Sequence, residues 1–96
     1  MKRLSNSDDF KNIIKEGTWL VDFSATWCGP CRMLEPNLEE FAHSNNVLQV
    51  DIDKFQELTE SFNIMSVPTL LVFNNGELVK KTVGYKSLDE LEKLIK

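Results

Sequence analysis

The order of apolar runs along this chain predicts an α/β fold: a central mixed sheet of four or five strands, flanked by helices on both faces. Three observations predict it. A nearly continuous apolar run, Thr18 to Ser24, has the character of a strand buried on both faces. Strand-like and helix-like periods alternate around it, which implies parallel pairing through right-handed crossovers. The last third opens on a hairpin signal, which adds antiparallel strands. The chain has 96 residues, one domain's worth, and residues 1–96 are read as a single domain.

Taken in order, Lys2 to Ser5 suit a short edge strand. Ser7 is placed to cap a helix, and Asp8 and Asp9 suit the positive end of its dipole. Phe10, Ile13 and Ile14 share one face of that helix, and Gly17 ends it. The buried strand follows, with Trp19 read as core packing. After it, Met33, Leu34, Leu38, Phe41 and Ala42 recur at helical spacing, with Pro36 inside the helix and expected to bend it. Val47 to Ile52 reads as a second strand. Asp53 is placed to cap a short helix containing Phe55, Leu58 and Phe62, with Gln56 as the reciprocal cap. Thr69 to Phe73 and Leu78 to Val83 are strands joined through Asn74-Asn75-Gly76-Glu77. Ser87-Leu88-Asp89-Glu90 is a capping box opening the last helix, whose apolar face is Leu88, Leu91, Leu94 and Ile95.

Composition narrows the function. The net charge of −4 leaves no excess of Lys and Arg to neutralise phosphate, which argues against nucleic acid as a partner. Between Glu35 and Glu60 stand seven carboxylates against Lys54 alone, a pattern read as the solvated face of two helices. Lys2 and Arg3 are followed by no apolar stretch, so the N-terminus does not read as a secretory signal. No segment approaches the ~18 apolar residues of a membrane span. The expectation is a cytosolic protein, where structural disulfides are rare. Its two cysteines then need a redox, catalytic or metal explanation, or are unrelated.

Cys28-Gly29-Pro30-Cys31 stands where the most buried strand gives way to a helix. With Cys28 as N-cap, the Cys31 N–H is placed to donate to the Cys28 sulfur. Pro30 then falls in the first turn, where a missing N–H matters least. A thiolate there feels the helix dipole, worth roughly 0.3–2 kcal/mol, so the reactive form of Cys28 is favoured. Cys31, one turn further in, is expected to be more buried and to hold its proton more firmly. Alone, Cys-x-x-Cys also fits half a zinc site. The chain offers only one further soft ligand, the distant His43, read as a surface residue near a helix end. Asp22, between Val21 and Phe23, is costly to bury charged, so its pKa should rise. A buried proton acceptor near a buried thiol can deprotonate it during exchange.

These residues together resemble the thioredoxin family. Val21-Asp22-Phe23-Ser24-Ala25-Thr26-Trp27-Cys28-Gly29-Pro30-Cys31 is similar to its active-site segment, continued by Arg32-Met33 and Pro36. Ser66-Val67-Pro68-Thr69-Leu70 resembles its cis-proline segment, Asn75-Gly76 its hairpin, and Val83-Gly84 the glycine beside the site. The resemblance runs over essentially the whole chain and implies a protein-disulfide reductase that uses the Cys28–Cys31 dithiol and no further cofactor. It implies that Cys28 attacks a client disulfide, that Cys31 resolves the mixed disulfide, and that Asp22 assists Cys31. Trp27, Gly29, Pro30, Val67, Pro68 and Gly84 would form the docking surface, with Pro68 cis and the Val67 backbone free to pair with the client. The implied partners are a thioredoxin reductase and disulfide-containing client proteins, a monomer being sufficient. Three positions depart from the family pattern. Ser24 stands where an aromatic is common, and Tyr85 where a small residue is frequent. Gln49 stands where a Lys often lies near the buried Asp, which should leave Asp22 with a higher pKa.

Overall fold

An apolar strand needs cover on both faces, and Thr18–Ser24 (β2) obtains it as the middle strand of five. The computed structural model describes all residues 1–96. The sheet order is β1-β3-β2-β4-β5, where β1 is Lys2–Arg3, β3 Asn46–Asp51, β4 Thr69–Asn74 and β5 Glu77–Val83. β1 and β2 lie parallel to β3, while β4 runs antiparallel to both β2 and β5, so the sheet is mixed as expected. The edge strand β1 is reduced to two residues. In the register that matters most below, Asp22 faces Gln49 across to β3 and Leu70 across to β4.

Because side chains alternate along a strand, β2 and β4 feed two separate cores. On one face Val21, Phe23, Leu71 and Phe73 pack with Leu48 and Val50. That face is covered by α1 (Phe10–Ile13) and α3 (Gln56–Ser61), and the rings of Phe10, Phe62 and Phe73 meet with centroids 5.6–5.7 Å apart. On the other face Leu20, Leu70 and Val72 pack under α2 (Gly29–Phe41) and α4 (Leu88–Leu94) through Leu34, Leu38, Phe41 and Leu91. Trp19 is half-buried against the first core, and its indole N–H donates to Glu16 O.

The local signals mostly act as expected. Asn75 and Gly76 both take positive φ, 50° and 85°, as a two-residue type I′ hairpin requires. The Ser87–Glu90 box closes in both directions, at 2.9 and 3.2 Å, and the Ser87 N–H, followed by the Ser87 hydroxyl, holds the Glu90 carboxyl below its usual pKa. Three expectations fail. The first helical segment is capped by Asn6 rather than Ser7. Asn6 accepts from the Asp8 N–H two residues on, as an Asx turn does, and starts a 3-10 turn over Ser7–Asp9. Met33 is exposed, because the stripe Cys31, Leu34, Leu38, Phe41 occupies the covered face and Met33 lies off it. Asp53 does not cap α3; the cap position is Phe55, without a side-chain bond, and the Asp53 carboxylate turns to a different partner described below. Pro36 lies within a continuous α2.

Phe23 is fully buried between helices and sheet, whereas Met33 is mostly exposed. Phe23→Ala should therefore cost about 3–5 kcal/mol of unfolding free energy in a denaturant titration. Met33→Ala should change it by no more than about 0.5 kcal/mol.

Candidate redox site

β2 ends in a turn in which Cys28 N donates to Ala25 O at 3.3 Å, and α2 begins at once. Cys28 is the N-cap, with extended φ and ψ of −91° and 115°. Its Sγ accepts the Cys31 N–H at 3.2 Å, and its carbonyl accepts the Arg32 N–H at 3.2 Å. Gly29 and Pro30 fill the first two helical positions, both exposed. The two sulfurs are joined in a disulfide, with Cα atoms 5.2 Å apart, inside the range the bond allows. Cys28 and Cys31 are 5% and 4% exposed, so in this oxidised state the expected difference in burial is absent. Both sulfurs lie in one small cluster with Ala25, under Ile52 and Val67.

Three loops build a rim around Cys28. Trp27 is exposed, and its indole N–H donates to Asp53 Oδ2 at 2.8 Å, which fixes the ring. The Val67–Pro68 peptide bond is cis, and Val67 O lies 3.7 Å from Cys28 Sγ. Gly84, at φ 98°, donates its N–H to Pro68 O at 2.8 Å, which brings the end of β5 to the same place. Pro68 is itself buried, so it supports the rim from below rather than presenting a surface. Between Trp27 and Val67 runs a groove of about 330 Å³ whose walls include Ile52, Ile64 and the highly exposed Met65.

Behind the disulfide, a second cleft of about 210 Å³ is walled by Cys31, Ser24, Glu35 and Gln49. Asp22 lies next to it, 1% exposed. Its Oδ2 accepts from Gln49 Nε2 at 3.1 Å, and its Oδ1 has no partner. Burial pushes the Asp22 carboxyl up to about 6, opposed by the Gln49 bond and reinforced by the negative charge of Glu35. His43 is exposed after the end of α2, and nowhere do three or more His, Cys, Asp or Glu side chains gather as metal ligands would.

The cysteines, Asp22, Trp27, Val67, Pro68 and Gly84 thus come to one end of the sheet. Sequence reasoning missed Asp53 and Glu35. Glu35 stands four residues after Cys31, one helical turn along the same face, and that spacing was a usable signal. Asp53 had none, since its bond to Trp27 joins residues 26 apart through a loop. Tyr85, one of the departures, has its hydroxyl held by Asn37 Nδ2 at 3.0 Å.

A mixed sheet that delivers a disulfide to a helix N-terminus defines a class of protein, an α/β domain that holds two exchangeable electrons in one S–S bond. The thioredoxin family model matches residues 2–96. A thioredoxin of Staphylococcus saprophyticus is 44% identical over 91 residues, covering 91% of this chain and 88% of that protein. One of Chlamydia muridarum is 43% identical over 98 residues, covering 99% and 96%. Among solved structures, a mutant thioredoxin from Halobacterium salinarum superposes with a TM-score of 0.92 at 35% identity, covering 98% of this chain and 86% of that one. Plasmodium falciparum thioredoxin does so at 0.91 and 35%, covering 99% and 96%. The chain belongs to the thioredoxin family and has its fold. It is a thiol–disulfide oxidoreductase whose redox group is the Cys28–Cys31 pair, and its family's activity implies interaction with a reductase and with disulfide substrates.

The raised pKa of Asp22 has a consequence for stability. Folded and unfolded forms are both protonated below pH 3.8; between there and about 6 only the folded form keeps the proton. Stability from this group therefore falls as pH rises through that window, and above it the buried charge costs on the order of 3 kcal/mol. Asp22→Asn should raise stability at neutral pH by up to roughly that amount and by much less near pH 4, as denaturant titrations at the two pH values would show.

Proposed function

We propose that the chain is a protein-disulfide reductase in which Cys28 attacks and Cys31 resolves. The observation that carries this is the Cys31 N–H donated to Cys28 Sγ at the start of α2. The same bond and the helix dipole that meet the sulfur in the disulfide stabilise a thiolate there after reduction. The Cys28 thiolate attacks a client disulfide, and one client thiolate leaves. Cys31 then gives its proton to Asp22 and attacks Cys28 Sγ, the second client thiolate leaves, and two electrons have passed to the client. Trp27, Gly29, Pro30, Val67 and Gly84 form the surface on which the client docks, with the buried cis Pro68 holding that surface in shape from below. Val67 precedes β4 rather than lying in it, which supports main-chain pairing with an extended client segment.

In this proposal residues 1–96 act as a single domain and a monomer suffices. A thioredoxin reductase recharges the disulfide, and the site of action is the cytosol. No helix is long and apolar enough to cross a membrane, which agrees with that location without requiring it. Nucleic acid has no role, consistent with the net charge of −4.

Equilibration in graded thiol–disulfide buffers should give a reduction potential well below the cytosolic glutathione poise, and a value near that of secretory-pathway isomerases would make the protein an oxidant. Cys31→Ser should accumulate the mixed disulfide with a client, visible on a non-reducing gel, and Cys28→Ser should not. Asp22→Asn should slow release of the client from the mixed disulfide by about 100-fold or more at neutral pH. Unchanged release would remove Asp22 from the mechanism.

A further inference from the structure

The mouth of the cleft behind Cys31 holds a closed set of bonds that neither the fold nor the docking rim requires. Gln49 Nε2 has two hydrogens, and it spends one on Asp22 Oδ2 at 3.1 Å and the other on Glu35 Oε1 at 3.3 Å. Its Oε1 accepts from Arg3 Nε at 3.1 Å, and Arg3 Nη2 also reaches Glu35 Oε1 at 3.3 Å and Glu39 Oε1 at 3.5 Å. An amide can point either end at a neighbour, but a guanidinium only donates and an ionised carboxylate only accepts. Arg3 therefore selects the Gln49 orientation in which oxygen faces the surface and the N–H groups face the two carboxylates. Glu35 lies half-buried between them, a negative charge held close to Asp22 and partly neutralised by Arg3.

We propose that Arg3 and Glu35 are positioning residues for the resolving step, acting on Asp22 through the Gln49 amide, and that this triad sets how readily Asp22 takes the Cys31 proton. The proposal rests on the role given to Asp22 above. The step it governs is a proton transfer alone: the Cys31 S–H bond breaks, an Asp22 O–H bond forms, and the thiolate left on Cys31 attacks Cys28. The groups facing Asp22 are few. Its own strand offers the Ser24 hydroxyl, β3 offers Gln49 with Asp51 further along, and β4 places Leu70 opposite. α2 offers Cys31, Arg32 and Glu35 around the cleft, and β1 offers Arg3. Among these, Glu35 raises the Asp22 proton affinity and the Gln49 bond lowers it. Removing Arg3 strengthens the first and loosens the second, while removing the Glu35 charge does the opposite.

The test follows the reduced full-length chain mixed with dithiobis-nitrobenzoate in a stopped-flow instrument. Cys28 releases one thionitrobenzoate and the resolving attack of Cys31 releases the second, so the pH profile of the second phase reads this step. Its acid limb should reflect ionisation of Asp22. Arg3→Met should move the midpoint up by about half a pH unit, or about threefold in rate on the acid limb. Glu35→Gln should move it down by a similar amount, and the double variant should lie close to Glu35→Gln, since Arg3 acts largely through that charge. Midpoints that stay put in both single variants, or that move in the same direction, would overturn the proposal. Asp22→Asn separates the two levels: loss of the acid limb upholds the Asp22 role whatever Arg3 and Glu35 do. An unchanged profile in Asp22→Asn removes that role and this one together.

Discussion

The Cys28 sulfur is the acceptor that closes the first turn of α2, and much of the site follows from giving that task to a redox atom. An N-cap must sit where a strand or loop hands over to a helix, outside the helical conformation and in line with the free N–H groups. That puts Cys28 at the end of β2, the middle strand of the sheet, with Cys31 one turn inside on the covered face of α2. The bond that organises the helix start is thus the bond that stabilises the sulfur when it carries charge. A substitution that spoils one spoils the other.

The two faces of the sheet divide the labour. The face under α1 and α3 is apolar through Val21 and Phe23 of β2 and Leu71 and Phe73 of β4, with an aromatic cluster at its centre. The face under α2 and α4 is apolar on β2 only as far as Leu20; Asp22, opposite Leu70, and then Ser24 follow, beside the open cleft. A buried carboxylate with one unpartnered oxygen is a standing cost to stability. The chain tolerates it at the end of the sheet that carries the disulfide. The rim is assembled separately, by bonds that tie Trp27 to Asp53 and Gly84 to Pro68, so loops far apart in sequence meet over one sulfur.

The departures from the family pattern gather around Asp22 and the rim rather than in the core. Gln49 meets Asp22 with an amide, and an amide has to be oriented. Arg3 and Glu35 do that, which gives the two-residue strand β1 a part in the site beyond covering a sheet edge. Ser24 keeps the cleft wall polar next to Cys31. Tyr85, anchored by Asn37, adds an exposed aromatic just past Gly84 at the edge of the rim around Cys28.

Whatever depended on near neighbours in the chain could be read from the sequence. Apolar runs placed β2, β3 and β4, and the hairpin signal placed β5. Asn75-Gly76 specified the hairpin, Ser87 and Glu90 the last helix, and the position of Cys28 between strand and helix specified its capping bond. Each of these rests on forces between residues a few positions apart, and such forces leave a local pattern. The burial of Asp22 was legible for the same reason, because its neighbours on β2 are apolar. The misreadings at Ser7, Met33 and Asp53 were choices between adjacent candidates, which small differences in turn geometry and helix rotation decide. The Arg3–Gln49–Glu35 bridge and the Trp27–Asp53 bond were beyond local pattern altogether. They join residues on different elements, and only the register of β1 and β2 on β3, with α2 laid across them, brings the polar atoms within reach. The sequence by itself determined the elements and the reacting atoms; tertiary packing decided which side chains stand close enough to tune them, because hydrogen bonds and charges act over a few ångströms of space regardless of distance along the chain.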